Sequence, residues 1–132
     1  MTRPSAWLDR RLILNSHYVA LCLTPKAFRR ELKHLKVPQE RWPDFLSTAR
    51  ADATTHYFER KGKYCAVVCL QAGEKRKPLE ICGLLVHEAV HIWQAHCDSI
   101  GERTPSAEFE AYSIQAIAQD LMAKFSELKG LK

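Results

Sequence analysis

The stretch "LEICGLLVHEAVHIWQAH", residues 79–96, follows Pro78 and has the length and composition of a helix. Its apolar residues lie almost all round the helix, so we expect it in the middle of a domain, packed on several sides. Within it, His87 and His91 are four residues apart and Glu88 follows the first. At about 3.6 residues per turn, both imidazoles lie on one helical face and can reach one ion.

This HExxH pattern has a specific chemical interpretation. Zinc accepts neutral imidazole nitrogens, and catalytic zinc sites use three protein ligands plus water. A carboxylate beside the first histidine can take a proton from metal-bound water and later pass it to a leaving amine. Two histidines and a glutamate are costly to bury on an apolar helix without partners, which favours a metal site over core packing. We therefore predict zinc at His87 and His91, with Glu88 as general base.

The rest of the chain predicts the elements around this helix. The run 18–23 is β-prone, and Thr24 can cap the amphipathic helix that follows it. Residues 51–72 contain two β-rich runs around a Gly-centred basic turn, which indicates a hairpin. A last helix is expected from Thr104 as its cap. We expect a single domain over 1–132 of the α+β class, with a small antiparallel sheet packed on helices and the HExxH helix buried at its centre.

Composition limits the classes of function. The chain has 132 residues, a net charge of +5 and five cysteines without a CxxC pair. It has neither an apolar run of membrane-spanning length nor the apolar core of a signal peptide, so we expect a cytoplasmic protein with reduced, packed thiols. The basic residues collect in 26–36 and 73–78. A charged helix face and a solvated loop account for both, without an aromatic-basic repeat, so nucleic acid is not the expected partner.

A third zinc ligand must come from outside the HExxH helix. The segment "EFEAY", residues 108–112, places Glu108 and Glu110 17 and 19 residues beyond His91. An HExxH helix followed by a loop and a helix that opens with E-x-x-A resembles the gluzincin metallopeptidases, which include thermolysin and neprilysin. At this length the chain is most similar to the minigluzincins and to short zincin-like proteins of phages and prophages. The resemblance covers roughly residues 52–125.

The resemblance implies a zincin-like fold and a role for each matching residue. His87, His91 and Glu108 would be the zinc ligands, and Glu88 the general base. Tyr112 stands where many gluzincins have an acid that orients a histidine. It could accept a hydrogen bond from a histidine or donate one to a developing oxyanion.

Glu110 is the alternative third ligand. It lies about 200° round the helix from Glu108, on the apolar stripe that includes Ile114, Ile117 and Leu121. The stripe favours Glu110, whereas the family pattern favours Glu108, and we follow the family pattern. In gluzincin-like folds an edge strand beside the metal also binds extended substrate, and either strand of the predicted hairpin could be that strand.

The resemblance implies a small zinc-dependent metallopeptidase, a hydrolase acting on a peptide or protein substrate. One alternative is a zinc-bearing structural or regulatory protein of the phage type, which keeps the site without turnover. Another is a basic nucleic-acid-binding module in which the histidines are incidental. The sequence indicates neither the substrate nor the oligomeric state.

Overall fold

The computed structural model describes residues 4–8, 17–48, 50–73 and 75–130 of the chain. In chain order, its elements are β1 (His17–Cys22), α1 (Pro25–His34), a 3-10 turn (Gln39–Arg41), β2 (Ala53–Arg60), β3 (Lys63–Leu70), α2 (Pro78–Ile100) and α3 (Ala107–Leu128). The predicted α+β class is confirmed. None of the described helices combines the length and apolar composition that a membrane crossing requires.

The three strands form one sheet in the order β1-β3-β2. The predicted hairpin is β2 and β3, which pair antiparallel from Arg60 opposite Lys63 to Ala53 opposite Leu70. β1 pairs parallel with β3, so the expectation of a wholly antiparallel sheet is wrong for this strand. The reason is the connection: the chain leaves β1 through α1 and enters the centre of the sheet only after β2, which is a crossover and not a second hairpin.

Local signals set the helix ends. The Thr24 hydroxyl accepts a hydrogen bond from the Ala27 backbone N–H at 3.1 Å, as its predicted capping role requires. α2 ends at Gly101, whose φ of 73° is readily adopted only by a residue without a side chain. α3 begins two residues later than predicted, because Ser106 and not Thr104 caps it, accepting from the Phe109 N–H at 3.3 Å.

Alternate residues of the strands face opposite ways and support two separate cores. We call the side covered by α2 and α3 the helix-pair face, and the side covered by α1 the α1 face. Among the described residues, the helix-pair core joins fourteen buried side chains of β1, β3, α2 and α3. The α1 core joins six buried side chains of β1, β3 and α1.

α2 packs on the sheet beside α3, but it is not buried all round. Its sheet side includes Leu85, Ala89 and Ile92, which are almost inaccessible to solvent. Trp93 is also buried and contacts α3 through the ring of Phe109, with centroids 5.6 Å apart. The outer side is solvent-exposed, so the predicted central helix is buried on two sides.

Candidate metal centre

His87 and His91 converge on the exposed side of α2. Their Nε2 atoms are 3.2 Å apart, and their rings meet edge to face with centroids at 4.8 Å. Two nitrogens that each bind one tetrahedral zinc at about 2.0–2.1 Å must lie about 3.3–3.4 Å apart. The separation of the two imidazoles therefore suits a shared ion.

A neighbouring amide orients the second imidazole. His91 Nδ1 lies 3.1 Å from Gln94 Oε1. An amide oxygen only accepts, so Nδ1 carries the proton and the Nε2 lone pair of His91 points toward His87. A ligating histidine ordinarily holds its second ring nitrogen in this way. Gln94 was not among the predicted site residues, although its position three residues after His91 places it within reach on the helix surface.

Glu88 is a buried carboxylate at the edge of this site, with only 4% of the residue exposed. The Thr55 hydroxyl on β2 donates a hydrogen bond of 2.7 Å to Glu88 Oε1. The other oxygen, Oε2, lies 3.9 Å from His87 Nε2. One oxygen of the carboxylate is therefore held by the sheet, while the second lies next to the histidine pair.

The site opens into a groove between α2 and the edge strand β2. The groove has a volume of about 320 Å³ and is lined by Ser47, Ala53, Thr54, Thr55, Tyr57, His87, Glu88 and His91. Of the two hairpin strands, β2 is the one at the sheet edge and beside the histidines. Both predicted histidine ligands and the predicted base thus face a cleft and not a flat surface.

Tyr57 brings a phenol to this groove. Its partial burial, and secondarily the carboxylate of Glu88, raise the pKa of Tyr57 to about 12. The phenol therefore keeps its proton at neutral pH and can donate a hydrogen bond. We did not identify Thr55 or Tyr57 from the sequence. The available signal was the hairpin itself, because residues 53, 55 and 57 face one side of a strand.

The structure separates the two candidate third ligands of α3. Glu110 lies on the inward stripe with Ile117 and Leu121, and its Oε2 accepts a hydrogen bond of 2.9 Å from Trp93 Nε1. Glu108 is solvent-exposed, about 200° round the helix from Glu110. The stripe argument therefore describes the position of Glu110 correctly, while the assignment of Glu108 as a ligand stays a prediction.

The packing of α3 explains this separation. α3 contacts the flank of α2 that carries Trp93. His87 and His91 lie about 120° and 160° round α2 from Trp93, on the flank above β2. Within the described parts of the chain, no three His, Cys, Asp or Glu side chains come together as a possible metal site. The structure thus unites both predicted histidines and the predicted base, but places neither glutamate of α3 with them.

Tyr112, the predicted oxyanion donor, is 65% exposed on α3 and does not line the groove. The phenol that lines the groove is that of Tyr57. Cys65 and Cys69 are buried, as predicted; all five cysteines are free thiols, and Cys82 is only partly buried. Burial raises the pKa of the Cys22 thiol to about 12, which makes it a poor nucleophile.

The donor set fits a divalent ion in part. Two imidazoles have suitable spacing and one is held in the ligating tautomer, while the third protein ligand is missing from the cluster. The groove leaves this side of the histidine pair open, unlike a closed structural zinc site with four protein ligands. Comparison with known proteins assigns no relative, since no family model, no curated protein and no solved structure matches the chain.

Proposed function

We propose that the protein is a small zinc-dependent peptidase, with His87 and His91 as zinc ligands and Glu88 as general base. The observation that carries the proposal is the cluster itself: two imidazole Nε2 atoms 3.2 Å apart beside a buried carboxylate, at the mouth of a groove. The HExxH spacing and the resemblance to gluzincins support the same chemistry.

Three further residues of the groove have defined tasks in this proposal, beside the two histidines. When bound, zinc supplies a Lewis acid that polarises the scissile carbonyl and lowers the pKa of water. Glu88 Oε2 takes the proton of the attacking water and returns it to the departing amine. Thr55 holds Glu88 Oε1, so the carboxylate stays oriented toward the histidines. Tyr57 donates a hydrogen bond to the oxygen on which negative charge develops.

The third ligand, in this proposal, comes from the first turn of α3. The resemblance implies Glu108, while Glu110 lies on the inward side and is bound to Trp93. Because α3 packs on the flank of α2 away from the histidines, either glutamate can join them only if this first turn moves. Zinc loading is therefore expected to change the environment of Trp93, which its fluorescence reports when compared with that of Trp93→Phe.

The first experiment measures zinc per chain by plasma mass spectrometry, on protein purified without chelator. The set is wild type, His91→Ala, Glu108→Ala and Glu110→Ala. We expect one zinc per chain in wild type, its loss with His91→Ala, and its loss with only one of the two glutamate variants, which identifies the third ligand. Absence of zinc from wild type, with no binding when zinc is added, would refute the metal site.

The second experiment separates an enzyme from a zinc-bearing structural protein. Hydrolysis of a pool of fluorogenic peptides is compared for wild type, Glu88→Gln and the control Glu80→Gln, an exposed glutamate in the first turn of the same helix. Loss of general base catalysis should lower the rate of Glu88→Gln by roughly 10²–10⁴-fold, with zinc retained. Equal rates for wild type and Glu88→Gln, or no hydrolysis by zinc-loaded wild type, would favour the structural alternative.

A further inference from the structure

Charge is distributed unequally between two parts of the chain. Residues 17–77 contain 13 Lys and Arg against six Asp and Glu, whereas residues 78–130 contain three against eight. The first range forms the sheet and α1, and the second forms α2 and α3. The net charge of +5 is therefore the sum of a basic region on the α1 side and an acidic region in the helix pair. Such asymmetry within one chain is a feature of proteins that bind polyanions.

The positive charge on the α1 side lines a groove. Two cavities of about 730 Å³ and 500 Å³ adjoin there and share Trp7 and His34 in their walls. Their cationic lining residues are Lys26 and Arg30 in the first and Arg60, Lys61 and Lys63 in the second. We call this surface the basic groove. None of its five Lys and Arg side chains forms an ion pair in the described structure.

Aromatic rings lie among these cations. Trp7 and His34 have ring centroids 6.1 Å apart, and Tyr18 lines the second cavity beside them. Trp7 Nε1 donates a hydrogen bond of 2.8 Å to Glu31, the one carboxylate among the described residues that line the groove. Glu31 is itself buried, so its charge is directed at the indole and not at a ligand. The bond also fixes the Trp7 ring at the point where the two cavities meet.

This arrangement identifies a ligand class. Cations along a groove neutralise phosphates, and exposed aromatic faces stack with bases, which together bind single strands without sequence preference. A duplex keeps its bases stacked inside and gives these rings nothing to contact. An acidic peptide has no flat rings to match the aromatic side chains. We propose that the basic groove binds single-stranded nucleic acid.

The proposal is independent of the metal centre, which lies across the sheet on the helix-pair face. Such a groove does not require an aromatic-basic repeat in the sequence. Trp7, Tyr18 and His34 come from three segments, and the cations come from α1 and from the hairpin turn. These residues come together only in the folded chain, so a local sequence repeat could not have predicted the groove.

The test uses fluorescence anisotropy with fluorescein-labelled 12-mers of thymidylate and uridylate, over a range of salt concentrations. Lys26→Glu/Lys63→Glu reverses one cation at each end of the groove. The matched control Arg29→Glu/Arg41→Glu makes the same change in net charge at exposed positions that do not line it. We expect the groove variant to weaken binding at least tenfold relative to the control. The logarithm of the binding constant falls linearly with the logarithm of the salt concentration, and each lost phosphate contact should make that slope about 0.7 less steep.

Trp7→Phe provides a second measurement. It keeps an aromatic face, so affinity should stay within a few fold of wild type, whereas the quenching of tryptophan fluorescence by the oligonucleotide should largely disappear. Circular dichroism of each variant confirms that the fold is intact. The proposal is overturned if neither 12-mer binds, if the control loses as much affinity as the groove variant, or if duplex DNA or polyglutamate competes as well as the unlabelled single strand.

Discussion

The two faces of the sheet share the same three strands but differ in core size, charge and chemistry. The helix-pair face has the larger core, an acidic pair of helices and the histidine site, while the α1 face has a smaller core and the basic groove. The difference arises within single strands: neighbouring residues of β2, Thr54 and Thr55, point to opposite sides. One thin sheet thus keeps two chemically unlike surfaces apart, and variants matched across it can test that separation.

The largest effect is expected from matched truncations in the two cores. Leu85 on α2 and Leu32 on α1 are both 1% exposed. Leu85→Ala should lower the free energy of unfolding by about 4 kcal/mol and Leu32→Ala by about 2.5 kcal/mol, because the smaller core can collapse more completely around a cavity. Urea unfolding followed by circular dichroism measures both. Equal losses, or a larger loss for Leu32→Ala, would show that the two cores do not differ in this respect.

A smaller effect should distinguish the two neighbouring threonines. Thr55→Val removes the donor to Glu88 and leaves a buried carboxylate oxygen without a partner, which costs about 1–3 kcal/mol of stability. It should also lower kcat more than it changes KM, and Thr55→Ser should restore both. Thr54 instead accepts from the Ser47 backbone N–H at 2.9 Å, an exposed contact, so Thr54→Val should cost less than about 1 kcal/mol and lower turnover less than Thr55→Val does.

A third effect is expected from pH, through two buried histidines of the helix-pair face. Burial lowers the pKa of His17 and His96 below their usual 6.5, and the proximity of His96 lowers that of His17 further. Below pH 6.5 the unfolded chain therefore binds more protons than the folded one, and stability falls as pH decreases. As the pH falls from 7.5 to 5.5 we therefore expect a progressive loss of stability in urea unfolding. His96→Gln should reduce this dependence, and an unchanged dependence in that variant would contradict the assignment.

The smallest effect is a change in one titration. Of the four tyrosines, Tyr57 should ionise near pH 12. The absorbance change that accompanies its ionisation should be missing from the ultraviolet titration of Tyr57→Phe. Glu88→Gln should lower the pKa of Tyr57, because the carboxylate contributes to raising it, while burial keeps that pKa above its usual 10. A Tyr57 step that does not respond to Glu88→Gln would mean that the two groups do not interact across the groove.

Much of the local structure could be predicted because its signals are short-range. The cap at Thr24, the hairpin, and the start of α2 at Pro78 each depend on a few adjacent residues. The parallel pairing of β1 could not be predicted in this way, because it depends on which strand the crossover places at the centre of the sheet. The same limit applies to the site. His87 and His91 follow from helical spacing alone, whereas Thr55 and Tyr57 join them only through tertiary packing.

The two-residue turn between β2 and β3 has a consequence at the far end of the hairpin. Lys61 and Gly62 have φ of 53° and 77°, and two successive residues with positive φ form the tight turn that suits twisted antiparallel strands. Such a turn sets which residues are partners all along the ladder. A single residue inserted there would shift β2 by one position, turning Thr55 and Tyr57 away from α2 and Thr54 and His56 toward it. The hydrogen bond that orients Glu88 thus depends on the length of a loop six residues away from Thr55.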